Sequence, residues 1–252
     1  HLSYKEATML ENGFVLLNSH EFNIHQLIND LETDWGISAQ AERHQDSFIL
    51  NIGDFLCVLG LMPAPVPNGE AAHYAKGNYY CPDAVAAAEA HQAHLMVTVM
   101  NQAENTEVLG MNLYSKIVSS CLKPQNATAV YTSGTVYTAD FYRKVAQQYL
   151  PNHEIPIMIW VYIGLGQNQQ GNQLYTSGMA KFGKDEMEIL NSPMDMGRLH
   201  ASLSSMCAYI ISSGLVLKDG ESIGFSAEQK WQISYSKSVY APSEFSLKID
   251  IQ

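Results

Sequence analysis

Phe48, Leu50 and Ile52 alternate along a short stretch, Gly53-Asp54 follows at once, and residues 55–62 run almost wholly apolar. A period of two, interrupted by Gly-Asp and resumed in apolar form, specifies a β-hairpin closed by a two-residue turn. An isolated hairpin is marginal in water, so this one demands further strands and a layer to cover its apolar face. The chain must therefore build a sheet here and pack something onto it.

The flanking residues supply both. Phe14-Val15-Leu16-Leu17 reads as a short buried strand, and after it Ile24, Leu27, Ile28, Leu31 and Trp35 recur at helical spacing until Gly36. Asn23 and Gln26 stand where a capping box would open that helix. Pro82 starts a second, Ala-rich helix that runs to Gln92, and residues 94–100 form another strand. The resulting order is βαββαβ, the ferredoxin-like sequence of elements. Ahead of the Ala-rich helix lies Pro63-Ala64-Pro65-Val66-Pro67-Asn68-Gly69, a stiff loop that neither a helix nor a central strand accommodates.

Beyond this half, Leu109, Leu113, Ile117 and Cys121 mark one helical face, and Phe141, Val145 and Tyr149 another before Pro151. Residues 105–154 thus read as a helical connector between an α+β half at 1–104 and a second at 155–252. The second half opens with a strand over 157–164, turned back by Gly166-Gln167-Asn168-Gln169-Gln170-Gly171. Leu199, Leu203, Met206 and Ile210 define its helix, with Gly214 at the C-cap, and Trp231/Ile233/Tyr235 and Phe245/Leu247/Ile249/Ile251 alternate as half-buried strands. No Gly/Ser or charged linker separates the halves. The expected class is α+β, two mixed halves packed as one compact body.

Charge narrows the choice of partner. Acidic residues outnumber basic ones 25 to 14 for a net charge of -11, which argues against nucleic acid or an anionic membrane surface. The excess is concentrated early: up to residue 125 there are 14 acidic and 5 basic residues, a net of -9. Cys57, Cys81, Cys121 and Cys207 are scattered without a CxxC, and most lie in apolar runs, which predicts reduced thiols acting as small hydrophobes. His1 to Glu6 leads into nothing resembling a signal peptide, and the longest apolar run, 155–165, is too short to span a bilayer and contains Pro156. A cytoplasmic location is the expectation.

Catalytic signatures are absent. Ser133 and Ser177 each precede Gly, but neither sits in GxSxG between strand and helix, so both read as turn residues. Gly164-x-Gly166 introduces a hairpin and not a helix N-terminus able to hold phosphate. One constellation has the right ligand types for zinc or iron: Glu70-x-x-His73 followed by His91 and His94. Were these four to converge, the chain would be a metal-dependent hydrolase or oxygenase; His91 and His94 straddle a helix end and a strand start, so they need not face the same way. His20 and His25 flank the first helix as surface residues. No cofactor is expected.

What the sequence offers instead is recognition chemistry. Its 14 tyrosines include Tyr74, Tyr79, Tyr80, Tyr131, Tyr137, Tyr175 and Tyr240 in turn or loop contexts, and tyrosine combines contact area with a polar tip at low entropic cost. Asp185, Glu186 and Glu188 form an acidic patch beside the Gly178 and Gly183 turns. The candidate contact residues are therefore Asp185, Glu186, Glu188, Tyr175, Tyr79 and Tyr80, suited to a basic protein partner.

The last third carries a run of further signals: Leu174-Tyr175-Thr176-Ser177-Gly178-Met179, then Phe182-Gly183-Lys184-Asp185-Glu186-Met187-Glu188-Ile189, and Asp219-Gly220-Glu221-Ser222-Ile223-Gly224-Phe225. This stretch resembles the bacterial family catalogued as domain of unknown function 4261. The resemblance, with the acidity and the lack of catalytic motifs, implies a non-enzymatic binding module. Families of this profile are frequently immunity proteins that occlude a toxin from an interbacterial secretion system, and that is the expected role.

Overall fold

A computed structural model describes residues 7–252, so the reading of His1 to Glu6 lies outside the described residues. The chain forms two compact units, His1–Ile159 and Trp160–Gln252, each built on its own sheet. The class is α+β, as expected.

The first unit begins with strand β1 (Thr8–Leu17) and helix α1 (Ile24–Trp35), followed by β2 (Ala41–His44), β3 (Ser47–Ile52) and β4 (Phe55–Met62). Asn23 Oδ1 accepts the Gln26 amide at 3.1 Å and Gly36 adopts the left-handed conformation at φ 65°, so α1 starts and stops where its signals stand. Next come α2 (Glu70–Ala75), α3 (Ala84–Ala90), β5 (Ala93–Asn101), α4 (Glu107–Cys121), β6 (Ala127–Thr132), β7 (Thr135–Thr138) and α5 (Ala139–Tyr149). The seven strands pair antiparallel in the order β2-β3-β4-β5-β1-β6-β7. The element order anticipated from sequence is there, with β2 and α2 added. In space the strands run as a meander from β2 to β5 and then close on β1, where a split βαβ would seat one strand between β1 and the strand after α1.

The segment read as a helical connector is integral to this sheet. β6 pairs with β1 and returns through Ser133 and Gly134, both at positive φ, into β7. α4 supplies core: Met111, Leu113, Tyr114, Ile117, Val118 and Cys121 are all buried, whereas Leu109, expected on the same face, is exposed. Tyr114 explains a glycine. A Cβ at Gly13 would lie 2.0 Å from the Tyr114 hydroxyl, so bare backbone is what lets α4 close onto β1. The opposite face of β1, at Phe14, meets His94 and Tyr131.

A single helical turn, α6 (Ile157–Trp160), replaces the beginning of the strand expected over 157–164. The second unit then comprises β8 (Tyr162–Asn168), β9 (Gly171–Ser177), β10 (Met187–Ser192), α7 (Met196–Ser213), β11 (Ser222–Ile223), β12 (Trp231–Lys237) and β13 (Phe245–Asp250). Its sheet order is β11-β12-β13-β10-β9-β8, with β13, the last strand in sequence, lying between β10 and β12. The β10–β13 pair is parallel and the others are antiparallel. Register places Leu174 beside Ile189, Met187 beside Leu247, and Ile233 beside Ile249 on one face. α7 buries Leu199, Leu203, Met206, Cys207, Ile210 and Ile211, and Ile210 lines a small crevice with Met187 and Leu247. Asp195 caps the helix at Arg198 and Gly214 ends it at φ 72°.

All four cysteines are free and buried. Burial pushes the Cys57 thiol up to about 12, in keeping with an inert hydrophobic role. Among the described residues no helix is long and apolar enough to cross a membrane.

Candidate binding surface

The proposed metal ligands are used in four separate ways. Glu70 Oε1 accepts the Tyr131 hydroxyl at 2.7 Å. His73 is exposed and meets Tyr74 edge-on. The buried His91 spends both ring nitrogens: the Val66 amide donates to Nε2 at 2.9 Å, which fixes Nδ1–H as the donor to the Ala88 carbonyl at 2.5 Å. His94 Nδ1–H donates to the Ala64 carbonyl at 2.7 Å, and burial holds its pKa below the usual imidazole value. The two histidines therefore tie down the Pro-rich loop. Among the described residues no group of three or more His, Cys, Asp or Glu side chains is placed to hold an ion.

The acidic patch also turns inward. Glu186 Oε1 accepts the amides of Gly178, Met179 and Ala180 at 2.8, 2.9 and 3.3 Å, and Oε2 accepts the Thr176 hydroxyl at 2.6 Å. The carboxylate thus caps the 3-10 turn Met179–Phe182, satisfying amides that have no partner within the turn. Glu188 is buried on β10, where it accepts the Ser238 hydroxyl and the Val239 amide and sits 3.3 Å from Lys248 Nζ. Burial alone would raise its pKa, but the Ser238 and Val239 hydrogen bonds and the Lys248 charge together hold it below the ordinary value. Of the three acids, Asp185 alone is exposed. The patch expected to meet a basic partner is in its larger part internal structure.

Tyr175 is half-buried. Its ring lies over Gly164, where a Cβ would approach to 2.0 Å, and Tyr240 stacks on it at 4.0 Å. The Tyr240 hydroxyl donates to Gln173 Oε1 at 3.1 Å. This stacking and the Glu188 bonds fasten the loop at 238–241 to the sheet.

Two other tyrosines, Tyr74 and Tyr79, do reach the surface, and in an ordered way. From the core outward, His94 meets Phe14 at 5.3 Å, Phe14 meets Tyr131 at 6.0 Å, and Tyr131 stacks on Tyr74 at 5.8 Å with planes 15° apart. Tyr74 is 45% exposed. A second ladder runs from the buried Tyr137 to Phe141 at 5.9 Å, to Tyr80 at 5.4 Å and to Tyr79 at 4.6 Å, with Tyr79 37% exposed at its end. Both ladders surface on α2 and the loop after it. Asn78, 5% exposed, holds that loop: its Oδ1 accepts the amides of Tyr80 and Cys81 at 2.9 and 3.1 Å, and Nδ2 donates to the Val136 carbonyl at 2.7 Å.

Tyr79 is exposed and Tyr80 half-buried in the loop after α2. Tyr74 and Tyr131 were seen only as loop tyrosines, because α2 and the β6–β7 hairpin that pair them were not anticipated; the Ser133-Gly134 dipeptide was the available signal. His20 and His25 line an open cleft of about 390 Å³ with Phe22, Arg43 and Phe48.

Residues 175–250 match the family model described as Domain of unknown function (DUF4261), in the third of the chain where the resemblance lies. No curated protein and no solved structure matches the chain.

Proposed function

We propose that the protein is a non-enzymatic protein-binding module, a cytoplasmic immunity protein or inhibitor that occludes a bacterial toxin or effector. The supporting observation is the pair of ring ladders ending on Tyr74 and Tyr79. Each exposed ring is backed by further rings leading into the core, so docking costs little further ordering, which is what an aromatic anchor requires. Occlusion then works by burying these anchors against the partner. The net charge of -11 favours a basic surface on that partner and speeds encounter, while the rings set its lifetime.

The test is affinity capture of the tagged protein from its native lysate beside a Tyr74→Ser/Tyr79→Ser variant and an Asp185→Lys variant. One basic protein retained stoichiometrically by the wild type and by Asp185→Lys, and lost from the tyrosine variant, supports the reading. Retention unchanged in the tyrosine variant, or no stoichiometric protein at all, rejects it.

A further inference from the structure

The cleft between the start of α1 and the β2–β3 hairpin contains none of the residues of the tyrosine ladders. Register sets Arg43 directly opposite Phe48, with the guanidinium carbon 5.9 Å from the ring centroid. Phe22, just ahead of α1, meets the same ring edge-on at 5.9 Å. Arg43 Nε donates to the Gln45 carbonyl at 3.2 Å, in the turn where Gln45 takes φ 55°, and the Asp46 carbonyl beside it accepts the Leu61 amide at 3.2 Å. Turn and guanidinium are thus held in place before anything binds.

The groups facing the cleft are otherwise unused. Among the described residues neither terminal nitrogen of Arg43 has a protein partner, and no hydrogen bond occupies the ring of His20 or His25. Asp46 lines the same cleft without pairing with Arg43. Arg43 is the sole arginine in the first 125 residues, a stretch of net charge -9. Within that acidic surround, a cleft of about 390 Å³ gathers Arg43 and two histidines against the apolar surface of Phe22 and Phe48. A concavity of this size, apolar with a few convergent polar groups, has the character of a small-ligand site.

We propose that this cleft binds a small aromatic monocarboxylate. The free fork of Arg43 donates two parallel hydrogen bonds to the carboxylate, and the flat ring of the ligand lies against Phe22 and Phe48. The exposed His20 and His25 add further donors. Charge selects the class: one permanent cation matches a monoanion, whereas a dianion such as phosphate would meet stronger repulsion from Asp46. Because the tyrosine ladders are not involved, this reading and the protein-binding role can each fail without the other.

The test is titration of the isotope-labelled full chain with benzoate, with its uncharged analogue benzamide and with inorganic phosphate, followed by amide NMR shifts. Benzoate is expected to shift the amides of residues 20–25 and 43–48 saturably, and benzamide and phosphate to bind about tenfold more weakly or not at all. Arg43→Gln should weaken benzoate about tenfold with an unchanged melting curve, whereas Lys144→Gln, which removes one exposed charge from α5, should leave it intact. The comparison of the three probes uses the wild type alone and decides the matter even where a variant is unstable. Benzamide binding as tightly as benzoate, phosphate binding more tightly, benzoate affinity undiminished in Arg43→Gln, shifts centred elsewhere, or no saturable shift overturns the proposal.

Discussion

Glu188 and Lys248 stand opposite each other in the parallel register of β10 and β13, 3.3 Å apart and largely removed from water. Lys248 also donates to the carbonyls of Ser236 and Lys237, at 3.1 and 2.9 Å. Breaking such a pair by removing one member strands the other charge. Lys248→Met is expected to cost about 3–5 kcal/mol, and adding Glu188→Gln should recover much of the loss, as read by urea denaturation. Because the folded pKa of Glu188 is depressed, its contribution is complete above the usual carboxylate range and is lost as pH falls through the depressed value. The acid limb of the stability profile should therefore be shallower in Glu188→Gln.

Glu186→Ala removes the acceptor shared by the Gly178, Met179 and Ala180 amides. The expected cost is about 1–2 kcal/mol, in the range of a lost helix cap. Hydrogen exchange should quicken at those three amides before it does on β10.

Asn78→Ala tests whether the pinned loop matters for binding. Three hydrogen bonds of a buried side chain are lost, leaving the Val136 carbonyl and two amides to find other partners, for an expected about 1–3 kcal/mol. Partner capture should weaken although Tyr74 and Tyr79 are intact. Unchanged capture would remove preorganisation from the binding account.

His94 is held neutral mainly by burial. A depressed histidine stabilises the fold above its unfolded pKa, and that stabilisation disappears as pH falls through the folded value. One such group contributes a slope of at most about 1.4 kcal/mol per pH unit. Asn at this position offers an amide donor for Ala64 without titrating, so His94→Asn should flatten the profile in mildly acidic solution. His200, also kept low by burial, titrates in both proteins and cancels from the difference.

Local signals read true where neighbours in sequence determine the outcome. The β3–β4 hairpin, the Asn23 and Gly36 ends of α1, and Gly214 after α7 all depend on a few adjacent residues. β2 was missed because its Ala-Glu-Arg-His run has no apolar alternation; only pairing with β3 makes it a strand. Glu186 and Glu188 looked like a solvated face since acids alternating on a strand usually are one. Glu188 finds Ser238 and Lys248 only after β12 and β13 return, a relation that spacing does not encode. Tyr79 was legible as a turn tyrosine, but the ring ladder behind it joins residues from α5 and β7.

The position of β13 bears on how the second unit is made. It is the last strand in sequence and an interior strand of the sheet, seated between β10 and β12. While the chain emerges from the ribosome, β8, β9 and β10 can assemble, but β11 and β12 have nothing to join them to, and Glu188 waits without Lys248. Closure of this sheet is therefore a step that follows translation of the whole unit, and a ribosome stalled before residue 245 would hold a nascent chain with an open, apolar strand edge that chaperones must cover.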